Sequence, residues 1–259
     1  MKTLTLIEIL GSKFFDWEFD VVPWMLDNYY VFLVPAILYP FLINIREFTN
    51  IKRTYNLPRT LFLWNTFQCI FSTVATYKVG KPFLYKLFKY GYHESVCLTR
   101  KDISYQFQPW GKWIFLFMLS KIVDLGDTLF MVIKGKPVNF LHWYHHLYTL
   151  IAVYIQSLTM VETTEWIAIT NYAIHSWMYG HYALATIVPS IRGNRILTIL
   201  QIMQMLHAFV LSNYHAMYCN SIIDITSITM SVVYTVLFVS FYTKKYNRSN
   251  SISIENKEE

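Results

Sequence analysis

Charge is scarce in this chain: Asp, Glu, Lys and Arg make up 15% of its 259 residues, against 54% hydrophobic residues. That balance excludes an ordinary soluble domain and leaves apolar length for several membrane spans. A small-residue cleavage site is also lacking near Met1 to Leu10, where Glu8 interrupts a short apolar patch. No cleaved signal peptide is therefore expected, and internal spans must do the targeting. No internal repeat is visible. Aromatic residues are plentiful at 18%, which suits interfacial belts and helices lining an apolar cavity better than small-residue helix packing alone.

The apolar stretches run near Tyr29 to Asn44, Thr60 to Tyr77, Gly111 to Ile133, Asn139 to Met160, Thr164 to Val188, Arg195 to Tyr218 and Asp224 to Tyr242. The sequence thus predicts an all-α polytopic membrane protein: one domain over 1–259, with an N-terminal segment 1–28, about seven transmembrane helices over 29–242 and a tail 243–259. The first two stretches sit near the short limit for crossing roughly 30 Å of hydrocarbon. Arg46, Lys52, Arg53 and Arg59 follow the first span, Lys134 and Lys136 the third, Arg192 and Arg195 the fifth, and Lys244, Lys245 and Arg248 the seventh. The positive-inside rule puts those regions and the C-terminus in the cytosol, and the N-terminus in the lumen. Asp16, Glu18, Asp20, Asp27, Glu162, Glu165 and Asp224 collect on the lumenal side. The loop 78–112 dissents, since it is lumenal by alternation yet holds Lys81, Lys86, Lys89, Arg100 and Lys101. Its stretch Pro82 to Tyr90 reads as an amphipathic interfacial piece.

Cysteine is limited to three copies. Cys69 falls within the second span, while Cys97 and Cys219 fall in two loops on the lumenal face, where an oxidising compartment permits a disulfide between them. The sequon at Asn247 falls in the cytosolic tail and is expected to stay unused.

The densest chemistry lies in Leu141-His142-Trp143-Tyr144-His145-His146. At helical pitch His142, His145 and His146 fall on one side of one helix. Ionisable groups at membrane depth are costly and tend to face a cavity where they act; the competing account is a hydrogen-bonded polar core. The third span contributes Lys121, Asp124, Asp127 and Thr128. Lys121 can pair with Asp124 at i+3, either to fix helix packing or to orient the histidines and set their protonation. The fifth span carries Asn171, His175, Met178, Tyr179 and Tyr182 as one stripe, and the sixth carries Thr198, Gln201 and Gln204. Thr and Gln often simply join membrane helices. His93, His207 and His215 read as structural.

Together these motifs resemble the ELO family, the membrane-embedded very-long-chain fatty acid elongases. The matching features are His142-x-x-His145-His146, Lys121-x-x-Asp124-x-x-Asp127-Thr128, Asn171-x-x-x-His175-x-x-Met178-Tyr179 and Thr198-x-x-Gln201-x-x-Gln204, in family order and spacing over roughly 111–218. Two positions depart: the family usually has Glu where Asp124 stands and Tyr where His181 stands, which leaves the role of His181 open. The resemblance implies a 3-ketoacyl-CoA synthase of the endoplasmic reticulum membrane. Such enzymes join a carbon pair from malonyl-CoA to a long-chain acyl-CoA with loss of CO2, and six of their helices enclose an acyl-chain tunnel. No cofactor or metal is implied beyond the two CoA substrates. The implied partners are the bilayer, a homodimer mate and other enzymes of the elongation cycle, with no nucleic acid. By the same resemblance His145 accepts the acyl group, His142 and His146 tune it, and His175 with Asn171 polarises a carbonyl. Lys134, Lys136, Arg192 and Arg195 are candidates to meet CoA phosphates, although they also serve topology. Pro137, where polyunsaturated-chain elongases commonly carry Gln, and Trp143 place the chain nearest the saturated and monounsaturated branch. Two other classes compete. A di-iron desaturase or hydroxylase also uses histidine boxes, but eight histidines with one dense cluster undersupply it. A seven-helix transporter or receptor accounts for the spans but not for the clustered histidines.

Overall fold

The computed structural model describes residues 4–12, 16–50, 52–97, 111–159, 163–191, 194–219 and 225–247. Its regular elements, among the described residues, are all helical. Two short helices, α1 (Leu6–Gly11) and α2 (Val22–Asp27), precede seven long ones: α3 (Tyr30–Thr49), α4 (Pro58–Cys97), α5 (Gly111–Ile133), α6 (Phe140–Leu158), α7 (Thr164–Ile187), α8 (Arg195–Tyr218) and α9 (Ile225–Tyr242). Three helices are long and apolar enough to cross a membrane, those over Tyr30–Thr49, Arg195–Tyr218 and Ile225–Lys245. The helices between them carry the lysines, carboxylates and imidazoles that lower their hydropathy, which is what a polar interior requires of its walls.

Two expectations about boundaries need correction. The stretch 78–97 is helix instead of loop, because α4 runs on through Pro82 to Cys97 with its one backbone break at Gly91 (φ 85°, ψ 177°). Within that continuation Lys86 Nζ lies 3.2 Å from Glu165 Oε2, and both side chains are buried. A lysine that looks interfacial in sequence thus becomes part of the α4–α7 contact. Arg46 likewise belongs to the last turns of α3 instead of following them. Arg100, Lys101, Glu162, Arg192, Asp224, Arg248 and Ser249 lie outside the described residues.

Close approach of α4 and α7 depends on small residues facing large ones. A Cβ on Gly80 would meet Ile169 Cδ1 at 3.2 Å, and one on Gly180 would meet Cys69 Sγ at 3.3 Å. In a lipid solvent such packing and inter-helix hydrogen bonds supply the association that the hydrophobic effect cannot. Between α6 and α9 the bonds include Gln156 Nε2 to Ser227 Oγ at 2.7 Å and a 3.1 Å contact between the hydroxyls of Thr149 and Tyr234. At the far end, Trp17 and Trp24 pack edge-on against Phe115, and Phe117 against Tyr172. Cys97, the last residue of α4, and Cys219, just beyond α8, form a disulfide with Cα atoms 5.1 Å apart.

Local signals set the start of α6 and hence the histidine cluster. The C-terminus of α5 closes with Gly135 in the left-handed region (φ 66°). Lys136 N donates to Met131 O at 2.9 Å and Gly135 N to Val132 O at 3.0 Å, the paired bonds of a glycine-terminated helix end. Four residues later Asn139 caps α6, its Oδ1 accepting from His142 N at 2.8 Å. His142 therefore sits in the first turn of α6, with His145 and His146 one turn deeper.

Candidate active site

Three helices supply the polar wall. On α6 the rings of His142 and His146 lie 4.3 Å apart and those of His145 and His146 5.6 Å apart. On α5 Lys121 Nζ donates to Asp124 Oδ2 and to Asn171 Oδ1 of α7, each at 2.9 Å. His175 Nδ1 stands 4.0 Å from the same Asp124 oxygen. The other oxygen of Asp124 accepts from Gln68 Nε2 of α4 at 3.0 Å. Lys121 and Asp124 are each 4% exposed, so the pair persists only because every charged atom has a partner; a lone buried charge would cost several kcal/mol.

Asp127 forms a second node. Trp64 Nε1 donates to its Oδ1 at 2.7 Å and the Tyr179 hydroxyl to its Oδ2 at 2.7 Å, so α4 and α7 each grip one carboxylate oxygen. Gly126 makes the first contact feasible, since a Cβ there would lie 2.5 Å from Trp64 Cζ2. Thr128 is the third: its hydroxyl is 2.9 Å from His142 Nε2 and 2.7 Å from the Tyr39 hydroxyl of α3. Behind the cluster, Tyr234 of α9 donates to the backbone carbonyl of His145 at 3.0 Å and its ring lies 4.8 Å from the His145 ring. Of the cluster's rings only His142 is hydrogen-bonded among the described residues, and His145 Nδ1 is buried with no hydrogen-bond partner there.

These groups surround a cavity of about 210 Å³ lined by His142, His145, His146, Asn171, His175, Met178, Tyr179, Gln201 and Gln204 among others. A larger cavity, about 520 Å³, adjoins it and is lined by Asn56, Asn65, Lys134 and Lys136. Asp127, His142 and Tyr182 line both, so they form the boundary between the two spaces. Gln201 reaches the chamber beside Met178, with Nε2 3.6 Å from Sδ.

Not every expected site residue converges here. Lys121 and Asp124 form the layer behind the chamber, holding Asn171 and His175. Arg195, a candidate for CoA phosphates, has its Nε donating to the Tyr242 hydroxyl at 2.5 Å and lines neither cavity. Arg192 lies outside the described residues. Thr198 turns to Asn194 O in the first turn of α8, and His181 rests beside Tyr182 without lining the chamber. His93 contacts Tyr214, and His207 packs on Trp166. Tyr39, Trp64, Gln68 and Tyr234 were missed from sequence. Each is a polar-tipped side chain, and the available signal was that such groups seek a partner when buried.

Fold and site together define a multi-pass helical membrane protein with a histidine-rich polar chamber between its helices. The sequence profile described as ELO: GNS1/SUR4 family matches residues 24–253. Very long chain fatty acid elongase 6 of Gallus gallus is 33% identical over 259 residues, covering 95% of each chain. The protein of the same name from Homo sapiens is 32% identical over 258 residues, again covering 95% of each. That from Drosophila melanogaster is 32% identical over 255 residues, covering 91% of this chain and 79% of its own. The chain belongs to the ELO family.

Proposed function

We propose that the protein is a fatty acid elongase, a very-long-chain 3-oxoacyl-CoA synthase that condenses a long-chain acyl-CoA with malonyl-CoA to give 3-ketoacyl-CoA, CO2 and CoA. The observation that carries this is the joined pair of cavities: a small chamber walled by four imidazoles, adjoining a larger one edged by Lys134 and Lys136. Lysines at the wide end suit CoA phosphates. Imidazoles at the narrow end suit acyl transfer. His145 attacks the thioester carbonyl, giving an acyl-imidazole and releasing CoA as thiol once its sulfur takes up a proton. Malonyl-CoA then loses CO2, and the electron pair left behind forms the enolate of acetyl-CoA. That carbon attacks the acyl-imidazole carbonyl, making the new C–C bond as the C–N bond breaks, and the departing ring nitrogen takes up a proton to return His145. His145 lines the chamber with its buried Nδ1 held by no hydrogen bond, which leaves the ring free for the first step, while His175 and Asn171 line the same chamber, where N–H groups can meet the developing enolate oxygen. Lys121 and Asp124 keep those two side chains in place.

We further read the seven long helices as seven spans in the endoplasmic reticulum membrane, with the lysine-edged cavity toward the cytosol, where both CoA substrates are found. Saturated and monounsaturated chains are the preferred acyl groups, and a homodimer associated with the other elongation-cycle enzymes is the working form. Among the described residues no group of three or more His, Cys, Asp or Glu is disposed to hold a metal ion, so the di-iron alternative gains nothing from the geometry. The test is malonyl-CoA-dependent chain extension by membranes containing the protein. His145→Ala should accumulate normally yet abolish extension, and wild type incubated with acyl-CoA alone should carry one acyl mass. Normal turnover by the variant would remove His145 from this role.

A further inference from the structure

The contact between α3 and the histidine cluster contains more information than its distances. Tyr39 is 1% exposed and Thr128 is fully buried, and the two hydroxyls and His142 Nε2 form an unbranched chain with spacings of 2.7 and 2.9 Å. Each hydroxyl has one proton to give. The Tyr39 hydroxyl meets no acceptor among the described residues other than Thr128 Oγ1. If the chain ran outward from His142, with Nε2–H donating to Thr128 and Thr128 to Tyr39, the phenol proton would be buried with nowhere to go. A stranded buried donor is the costly outcome, whereas the opposite direction gives both hydroxyl protons an acceptor. So Tyr39 donates to Thr128, Thr128 donates to His142 Nε2, and that nitrogen is an acceptor. A neutral imidazole accepting at Nε2 carries its proton at Nδ1.

We infer that Tyr39, acting through Thr128, fixes His142 in the tautomer that keeps its proton on Nδ1, which makes Tyr39 and Thr128 positioning residues for the condensation. The inference rests on reading the chamber as the condensation site. Its consequence is a division of labour among the imidazoles. His142 cannot offer Nε2 as a nucleophile, because that lone pair is engaged. Its Nδ1–H has no partner among the described residues, and the ring lies on the boundary shared by the two cavities. A thioester whose CoA fills the larger space and whose carbonyl carbon reaches His145 would pass this N–H. A fixed donor there stabilises negative charge developing on the carbonyl oxygen without reorganisation during the step. No residue of α6 itself can set this proton, since the helix neighbours His145 and His146 offer no hydrogen bond to the ring. Tyr39, carried by a different helix, is where the direction of the chain originates.

The experiment compares Tyr39→Phe, Thr128→Val, Thr128→Ser and the Tyr39→Phe/Thr128→Val double variant in the full-length protein in membranes, with kcat and KM for acyl-CoA at saturating malonyl-CoA. Losing one directing hydrogen bond should lower kcat by about 2- to 13-fold in Tyr39→Phe, with KM unchanged. Thr128→Val should fall at least as far, and Thr128→Ser should stay near wild type, because a serine hydroxyl passes the proton direction on. The decisive result is the double variant. Two breaks in one chain should cost no more than Thr128→Val alone, whereas two independent packing defects would multiply. Multiplying losses, a KM rise matching the kcat fall, or wild-type kcat in Tyr39→Phe would each overturn the inference. Should Tyr39→Phe fail to accumulate, equal kcat in Thr128→Val and Thr128→Ser would overturn it as well. A wild-type protein without malonyl-dependent extension would instead refute the function on which the inference rests.

Discussion

The buried pair of Lys121 and Asp124 permits stability and chemistry to be separated by substitution. Lys121→Met keeps most of the side-chain volume and removes the ammonium that Asp124 Oδ2 and Asn171 Oδ1 both meet at 2.9 Å. Breaking a buried ion pair by removing one partner costs about 3–5 kcal/mol, because the remaining charge is stranded. Gln68 still donates to Asp124 at 3.0 Å, which places the cost near the lower end, about 3 kcal/mol. At about 2–4 °C per kcal/mol for a chain of this size, that is a fall of about 6–12 °C in Tm. Lys121→Met combined with Asp124→Leu removes both charges and leaves only the Gln68 amide and Asn171 Oδ1 short of partners, about 1 kcal/mol each. The double variant should therefore melt above the single one. It should nevertheless be inactive, because His175 has lost the carboxylate 4.0 Å from its Nδ1 and Asn171 the group that orients it. The assay is thermal unfolding of purified protein beside malonyl-dependent extension of an acyl-CoA. A double variant less stable than Lys121→Met would refute the stranded-charge account, and a double variant with wild-type turnover would refute the positioning role.

Two further outcomes follow from the same geometry. Gly126→Ala gains about 1 kcal/mol of helix propensity but drives a methyl into Trp64, so it should displace the indole from Asp127 and lower turnover well before it lowers Tm; wild-type turnover with an unchanged Trp64 environment in fluorescence would contradict this. In competition assays with matched chain lengths, saturated and monounsaturated acyl-CoAs should be extended faster than polyunsaturated ones, and equal rates would show that Pro137 and Trp143 do not report specificity.

What the sequence reveals divides along helix boundaries. Within one helix, spacing alone puts His142, His145 and His146 on one side and brings Lys121 to Asp124, because 3.6 residues per turn leaves little choice. Five of the seven long helices end close to where the apolar stretches end. What spacing cannot report is which residue of another helix answers a polar group. Nothing in the apolar run of α3 marks Tyr39 as the partner of Thr128, and nothing in α4 marks Trp64 and Gln68 as the partners of Asp127 and Asp124. Lys86 misleads for the opposite reason: a lysine among aromatic and apolar residues looks like an interface until Glu165, seventy-nine positions later, is known to face it. Arg195 shows the same limit, since its charge is legible but its engagement with Tyr242 is not.

Of the three helices long and apolar enough to cross a membrane, the one that holds Tyr39 is the least covered by the rest of the protein: 11% of its apolar window is buried, and it packs on α5 and α6. Only Phe32 and Tyr39 are buried along its length. Local opening takes the least-packed element first. If α3 lifts away, the remaining helices keep their ion pairs and the histidines keep their places, yet His142 loses the hydroxyl chain that tells it where its proton belongs. Bilayer thickness, detergent and modest heat then act on catalysis through a peripheral helix that touches none of the reacting atoms, and the protein slows while still folded.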